Sequence, residues 1–295
     1  MKVIIAAEAG FCFGVKRALN VIYRLNEQEQ ELQVYGRLIH NTTVLQKLKS
    51  QNIDTIERLE EIDPRKKLAI RTHGIPKQEE EKLKKDGISY VDATCPLVKK
   101  LHHIIQNTDE THTQLIIVGD KKHPEIIAAK SYAQNAAVVN SEEEAAALEK
   151  RKSIRVIAQT TLDTDLFERI VALLKTKAET IEIHDTICEA TKVRQQAVKE
   201  LAPNVDFMVV VGGKDSSNTR KLFNIAAQRN KNTFFVENSS QVSDPDFIKK
   251  IRGFRTAGIA AGASTPPEEI AKTKEILKNI TIEKEINNGK RKRYH

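Results

Sequence analysis

The stretch AEAGFCFGVKRAL, residues 7–19, places a thiol between two phenylalanines and two glycines. The apolar run VIIAA before it predicts a strand, and the spacing of Val15, Leu19 and Ile22 predicts a helix after it. Cys12 therefore lies at a predicted strand-to-helix turn. One cysteine in such a place is most often an inert core residue, so its meaning depends on the rest of the chain.

Two more cysteines occupy the same kind of setting. Cys95 in ISYVDATCPLVKKLHHI and Cys188 in IEIHDTICEATKVRQQAV each follow a strand-like run and precede a helical pattern. With Cys12 they divide the 295 residues into near-equal thirds. This arrangement predicts an internal repeat of three units.

Two further polar turns recur in each third. The first is in VYGRLIHNTTVLQKL, LIIVGDKKHPEIIAAK and MVVVGGKDSSNTRKLFNI, where His40 and His123 lie 28 residues after their cysteine and Ser217 lies 29 after its own. The second is in LAIRTHGIPKQEEEKL, RVIAQTTLDTDLFERI and GIAAGASTPPEEIAKTKEIL. The polar residues of this second set are His73, Thr160 with Thr161, and Ser264.

The alternation of short strands with helices predicts an α/β protein with parallel sheets. We expect three similar αβ units, residues 1–94, 95–187 and 188–286, followed by a basic tail, 287–295. The initial strand has the alternative of packing with the third unit. Ligands bind beyond the carboxyl ends of strands in such sheets, so a pseudo-threefold trefoil with these turns around a central cavity is predicted.

The polar turns suit a phosphate. Helix N-termini offer unpaired N–H groups and a positive dipole end, and the hydroxyls, histidines and Asn218 at these turns add donors. The alternative is that Ser217, Ser264 and Thr160 only cap helices. The run GGKDSS lacks the residue order of a P-loop.

Three thiolates are compatible with two kinds of metal site. With one histidine they complete a zinc site, and alone they hold three of the four irons of a cubane cluster. The cluster leaves one iron open for a substrate oxygen, and loss of that oxygen as water needs an acid. Glu125, two residues after His123, is the candidate, with Thr160 as a relay. The alternative for Glu125 is a first-turn residue that favours the helix dipole.

Composition sets the broad class. The chain is 40% hydrophobic and 30% charged with net charge +8, as expected of a globular protein. Glu8 interrupts the first apolar run, which argues against a signal peptide, and no run suits a membrane helix. Three cysteines do not suggest a disulfide framework. We expect a cytoplasmic protein with no membrane partner and, its GKRKRYH end being an ordinary solvated tail, no nucleic-acid partner.

The motifs GFCFGVKRA, VDATCP, GDKKHPE, AQTTL, TICEAT, SSN and AGAST, in this order, resemble the 4-hydroxy-3-methylbut-2-enyl diphosphate reductase family, from the first strand to about Leu277. The resemblance implies a trefoil of three αβ units around one 4Fe-4S cluster. It implies that Cys12, Cys95 and Cys188 are the cluster ligands and that Glu125 and Thr160 handle the substrate hydroxyl and proton. The implied diphosphate-binding residues are His40, His73, His123, Ser216, Ser217, Asn218 and Ser264.

The implied reaction is reductive removal of the substrate hydroxyl to give isopentenyl and dimethylallyl diphosphates, with a ferredoxin or flavodoxin as electron donor. Two other classes remain open: a zinc-stabilised nucleic-acid-binding protein and a metal-free diphosphate sensor. One departure from the family pattern is Thr72, which precedes His73 where the family usually has Ala or Ser. The packing of that loop is therefore an open question at this point.

Overall fold

The computed structural model describes residues 1–28 and 31–291, with side chains through Ile280. It contains three four-stranded sheets, all of parallel strands. The predicted α/β class with three similar units is confirmed. No helix in these ranges has the length and apolar character needed to cross a membrane. The predicted basic tail begins inside the last helix, and Lys292–His295 lie outside the described residues.

The chain begins with β1 (Lys2–Ile5), which belongs to the third sheet described below. Sheet I has the order β3-β2-β4-β5. All four residues of its central strand LQVY are buried, as expected of a parallel strand covered on both faces. The elements of this region are α1 (Phe13–Gln28), β2 (Leu32–Tyr35), α2 (Thr42–Ser50), β3 (Ile53–Ile56), β4 (Lys67–Ile70), α3 (Lys77–Lys85) and β5 (Tyr90–Asp92).

Sheet II repeats this order as β7-β6-β8-β9. Its helix α4 begins with a proline, whose missing N–H costs nothing in the first turn. Its elements are α4 (Pro96–Gln106), β6 (Gln114–Val118), α5 (Pro124–Lys130), β7 (Ala137–Val139), α6 (Glu142–Ala146), β8 (Arg151–Ala158), α7 (Thr164–Lys175) and β9 (Ala178–His184).

Sheet III has the order β11-β10-β12-β1. Its outer strand β1 comes from the start of the chain and pairs with β12, Lys2 opposite Thr256. Its elements are α8 (Glu189–Leu201), β10 (Phe207–Val211), α9 (Ser217–Arg229), β11 (Thr233–Val236), α10 (Pro245–Lys250), β12 (Thr256–Ala261) and α11 (Pro267–Arg291). Short 3₁₀ helices cover Leu59–Glu61, Ala202–Asn204 and Ser239–Ser243.

The chain forms two compact units. Unit 1 comprises Met1–Cys12, His40–Thr43 and the chain from Lys192 onward, and unit 2 comprises Phe13–Ile39 and Val44–Thr191. Sheet III and its apolar core lie in unit 1, whereas sheets I and II lie in unit 2. In both units the strands contribute to the apolar core, and the polar turns follow the carboxyl ends of these strands.

Candidate functional site

Each cysteine is anchored by the same backbone hydrogen bond. Each follows an outer strand of its sheet, and its N–H donates to a carbonyl two residues beyond the end of the neighbouring strand. The bonds run from Cys95 N to Thr72 O (2.9 Å), from Cys188 N to Thr160 O (3.0 Å) and from Cys12 N to Ala263 O (3.2 Å). The repeat detected in the sequence therefore fixes the backbone of the three thiols in the same way.

The thiols differ in their immediate surroundings. All three are half-buried. Cys95 is the N-cap residue of α4, and the Cys188 Sγ atom lies 3.0 Å from the Thr191 hydroxyl. Thr191 is a contact that the sequence reasoning missed, although it belongs to the quoted stretch TICEAT. Partly exposed thiols at helix N-termini suit metal ligation, because a positive dipole end favours the thiolate.

Glu125 and Thr160 form a buried pair in unit 2. The side chain of Glu125 is 1% exposed. Its two carboxyl oxygens accept from the two donors of Thr160, Oε1 from the backbone N–H (2.7 Å) and Oε2 from the hydroxyl (2.6 Å). The structure thus brings together the two residues that the sequence suggested for proton handling. Both donors of one residue hold the carboxyl group in a fixed plane.

His123 is held in one tautomer beside this pair. It is the N-cap residue of α5, and its Nδ1 accepts from the Glu125 N–H at 3.2 Å. Because a neutral imidazole that accepts at Nδ1 carries its proton on Nε2, this histidine offers an N–H donor. The His73 ring stands edge-on to it, with 5.2 Å between centroids. Helix capping, offered as the alternative role for these turns, applies to His123 itself.

The second cluster lies in unit 1 at the start of α9. Ser216 is the N-cap residue and accepts from Thr219 N–H at 3.3 Å. Ser217 is half-buried, and Asn218 is only 4% exposed. Neither the oxygen nor the nitrogen of the Asn218 amide has a hydrogen-bond partner among the described residues. A buried amide left in this state costs about 1–3 kcal/mol, which points to a ligand that would satisfy it.

His40 and Ser264 approach the same cluster. The Ser264 hydroxyl donates to the His40 carbonyl at 3.1 Å. Gly213, just before the start of α9, lies so close to this carbonyl that an added Cβ would be 2.5 Å from its oxygen. Only glycine permits this approach of the two chain segments. Unit 1 therefore brings together all five of its predicted diphosphate-binding residues, namely His40, Ser216, Ser217, Asn218 and Ser264.

The strand ends correct one detail of the predicted repeat. His40, His123 and Ser216 each stand five residues beyond the last residue of the central strands β2, β6 and β10. The counterpart of the two histidines is therefore Ser216, the N-cap residue, and not Ser217. The spacing from the cysteine agrees with this, because Ser216 lies 28 residues after Cys188, as His40 and His123 do after their own cysteines.

A buried histidine near the His73 turn was also missed. His102 of α4 is 8% exposed and stacks on Tyr132 with 4.5 Å between centroids. Burial lowers its pKa to about 4, so it is neutral at pH 7. It lines a cavity of about 490 Å³ with Asp92 and Lys99. In the sequence it reads only as an apolar-face position of a helix.

Comparisons with known proteins agree over nearly the whole chain. A family model described as LytB protein matches residues 3–278. Among curated relatives, the 4-hydroxy-3-methylbut-2-enyl diphosphate reductase of Caldanaerobacter subterraneus subsp. tengcongensis is 38% identical, covering 97% of this chain and 99% of the relative. The protein of that name from Helicobacter pylori (strain P12) is 39% identical over 95% of this chain and 100% of its own.

Two solved structures are similar as well. One is described as the E-1-hydroxy-2-methyl-but-2-enyl-4-diphosphate reductase from Plasmodium falciparum, with a TM-score of 0.87, 30% identity and coverage of 94% of this chain and 87% of that one. The other is described as (E)-4-hydroxy-3-methyl-but-2-enyl diphosphate reductase, the terminal enzyme of the non-mevalonate pathway. Its TM-score is 0.66 and its identity 36%, with coverage of 95% of this chain and 100% of that one.

Proposed function

Because the chain belongs to the LytB family, we propose that it catalyses the reductive dehydroxylation of 4-hydroxy-3-methylbut-2-enyl diphosphate to isopentenyl and dimethylallyl diphosphates. The observation that carries the proposal is the buried Glu125–Thr160 pair beside His123, in a chain that matches named reductases over almost its full length. In the net reaction, the allylic alcohol takes up two electrons and two protons and yields an alkene and water.

The diphosphate is the part of the substrate that the polar turns would hold. In unit 1, the unsatisfied amide of Asn218 and the N-terminus of α9 provide donors for phosphate oxygens, with Ser216, Ser217, Ser264 and His40 around them. In unit 2, the Nε2–H of His123 offers a further donor, and His73 adjoins it. Their role is to orient the substrate so that its hydroxyl end reaches the acid.

The three thiols fit a 4Fe-4S cluster by their chemistry. We assign Cys12, Cys95 and Cys188 as ligands, because all are partly exposed and share one backbone anchor. When bound, such a cluster supplies electrons one at a time and an iron without a protein ligand that acts as a Lewis acid. A cubane normally takes four cysteines, so a site with three leaves that position open.

The proton that converts the departing hydroxyl into water comes from Glu125 in this proposal. In its acid form the group carries that proton on one carboxyl oxygen. After transfer, both oxygens of the carboxylate are already hydrogen-bonded by Thr160, so the product state needs no rearrangement. The 1% exposure of Glu125 keeps bulk water from competing for the proton.

The electron donor is a small redox protein such as a ferredoxin or flavodoxin, and the enzyme works in the cytoplasm, where its three cysteines stay reduced. The alternatives of a zinc-stabilised nucleic-acid-binding protein and a metal-free diphosphate sensor have no support among the relatives, which are named as reductases.

The test is turnover of anaerobically purified, cluster-reconstituted protein with the hydroxylated diphosphate and a one-electron reductant. We expect both diphosphate products from the wild type and at most trace amounts from Glu125→Gln. Thr161→Ser, a conservative change next to the pair, is the matched control and should remain active. Lack of product from cluster-loaded wild-type protein would refute the proposed reaction.

A further inference from the structure

Thr72 immediately precedes His73, and the structure gives it three hydrogen bonds. It is 6% exposed. Its hydroxyl donates to the Leu38 carbonyl at 2.8 Å, and its N–H points to the same oxygen at 3.4 Å. Its carbonyl accepts from Cys95 N–H at 2.9 Å. Thr72 thus joins the segments that follow β2, β4 and β5 at one edge of sheet I.

The repeat itself does not require this hydroxyl. Thr72, Thr160 and Ala263 stand at the same position, two residues beyond β4, β8 and β12, and each accepts the N–H of a cysteine. Ala263 has no hydroxyl, and the hydroxyl of Thr160 binds the Glu125 carboxyl group. Only the carbonyl is common to all three turns. The hydroxyl of Thr72 therefore serves its own turn.

That turn carries His73 and is fixed on its other sides too. Arg71 Nε donates to the Gly74 carbonyl at 3.1 Å. The guanidinium occupies space left by Gly36, where an added Cβ would lie 2.5 Å from Arg71 Cδ. Gly74 has a φ of +72°, and a Cβ there would lie 3.0 Å from the His102 ring. His73 is thus held between two anchored neighbours.

From these contacts we propose that Thr72 is a positioning residue, whose hydroxyl sets the orientation of His73 for binding the diphosphate. The inference rests on the proposed function, because it assumes that His73 binds phosphate. The hydroxyl ties the Cα of Thr72 to the segment after β2, and the carbonyl of the peptide that links Thr72 to His73 accepts from Cys95 N–H, so the two bonds together fix the start of the His73 turn. A threonine secures this turn where a smaller residue such as alanine supplies no hydroxyl.

Three variants test the role of the hydroxyl. Thr72→Val keeps the shape and removes the hydroxyl, Thr72→Ala removes it in a smaller side chain that cannot clash, and Thr72→Ser keeps it. Binding of inorganic pyrophosphate to anaerobic, cluster-loaded protein is measured by calorimetry. We expect Val and Ala to raise the Kd by about fivefold to tenfold, the effect of one lost hydrogen bond, and Ser to stay within about twofold of the wild type.

Steady-state kinetics separate positioning from mere stability. Loss of His73 orientation raises KM for the substrate more than it lowers kcat, whereas a purely structural role lowers the melting temperature and leaves Kd and KM unchanged. Wild-type Kd in both Thr72→Val and Thr72→Ala would overturn the inference.

A double-mutant cycle distinguishes this inference from the function on which it rests. If Thr72 acts through His73, adding Thr72→Val to His73→Ala has no further effect on pyrophosphate binding. If His73→Ala itself binds pyrophosphate like the wild type, the assignment of His73 in the proposed function is wrong. If His73→Ala weakens binding and Thr72→Val does not, only the inference about Thr72 fails.

Discussion

The turns after β4 and β8 share one backbone hydrogen bond but differ in the partners of their side chains. In both, the second residue beyond the strand is a threonine whose carbonyl accepts a cysteine N–H, at 2.9 Å for Thr72 and 3.0 Å for Thr160. Thr160 donates its hydroxyl to the carboxyl group of Glu125, whereas Thr72 donates to the carbonyl of Leu38. The repeat thus preserves the backbone hydrogen bond to the thiol residue, whereas the threonine side chains differ between the proposed proton transfer and the proposed diphosphate binding.

The largest loss of activity is expected from the cysteines, whose backbone hydrogen bond is common to both turns. Cys95→Ser and Cys188→Ser each remove a proposed cluster ligand, and we expect both to abolish turnover and to lower iron content sharply. Iron and acid-labile sulfide measured beside turnover check this. Full activity and full iron in either variant would show that its cysteine is not a ligand and that the shared anchor has another purpose.

Glu125→Gln should have the next largest effect. An amide cannot supply the proton, so we expect kcat to fall by roughly 10²- to 10⁴-fold while the Kd of pyrophosphate stays near the wild-type value. Turnover and calorimetry on the same preparation give both numbers. A variant that loses binding and keeps kcat would place Glu125 with the diphosphate residues instead.

The two threonines should respond differently to the same change. Thr160→Val removes a hydrogen bond to a carboxyl group, and we expect kcat to fall by roughly tenfold to hundredfold with little change in pyrophosphate binding. Thr160→Ser keeps the hydroxyl and is the control. Since Thr72→Val is expected to change Kd instead, identical kinetic effects from the two valines would remove the functional difference between the turns.

Asn218 extends the comparison to the turn after β10 in sheet III. Its side-chain amide is 4% exposed and has no hydrogen-bond partner among the described residues. Asn218→Leu removes a buried unsatisfied amide and suits a helix. We expect weaker pyrophosphate binding, by about tenfold, together with a melting temperature about 3 °C higher without ligand. Unchanged binding with higher stability would make this amide irrelevant to the diphosphate.

The smallest effect that we predict is a pH-dependent contribution of His102, which packs beside the His73 turn, to the free energy of unfolding. Its folded pKa of about 4 lies below the ordinary 6.5, so protons bind the unfolded chain preferentially. This contribution to stability is complete above pH 6.5 and declines as the pH falls toward 4. Between pH 7 and 5.5 the wild type should lose about 1 kcal/mol more than His102→Phe.

Urea denaturation of the two proteins at both pH values measures this difference. The phenylalanine keeps the stack on Tyr132 and does not titrate, so it is the matched control. An equal loss of stability in both proteins would assign the pH dependence to other groups.

The sequence was sufficient for the repeat, because cysteines at strand-to-helix turns and polar residues at constant spacing are local patterns. It also paired Glu125 with Thr160 from their place in two such turns. It placed Ser217, 29 residues after Cys188, beside His40 and His123, although Ser216 has the same 28-residue spacing as the two histidines. The position of Ser216 five residues beyond the end of β10 agrees with that spacing.

The contacts of Thr72 and His102 were beyond sequence reasoning for a different reason. A hydrogen bond from Thr72 to the carbonyl of Leu38 depends on which strands are neighbours, and the order β3-β2-β4-β5 is a tertiary property. His102 fills an apolar-face position of α4, and only its packing on Tyr132 and beside Gly74 reveals its burial.

The central claim is that the three anchored cysteines hold one iron–sulfur cluster, and metal analysis of protein purified without oxygen tests it most directly. The account predicts about four irons and as many acid-labile sulfides per chain, since cubanes of this kind are held by thiolates. One zinc per chain without sulfide, or no metal after anaerobic reconstitution, would contradict it.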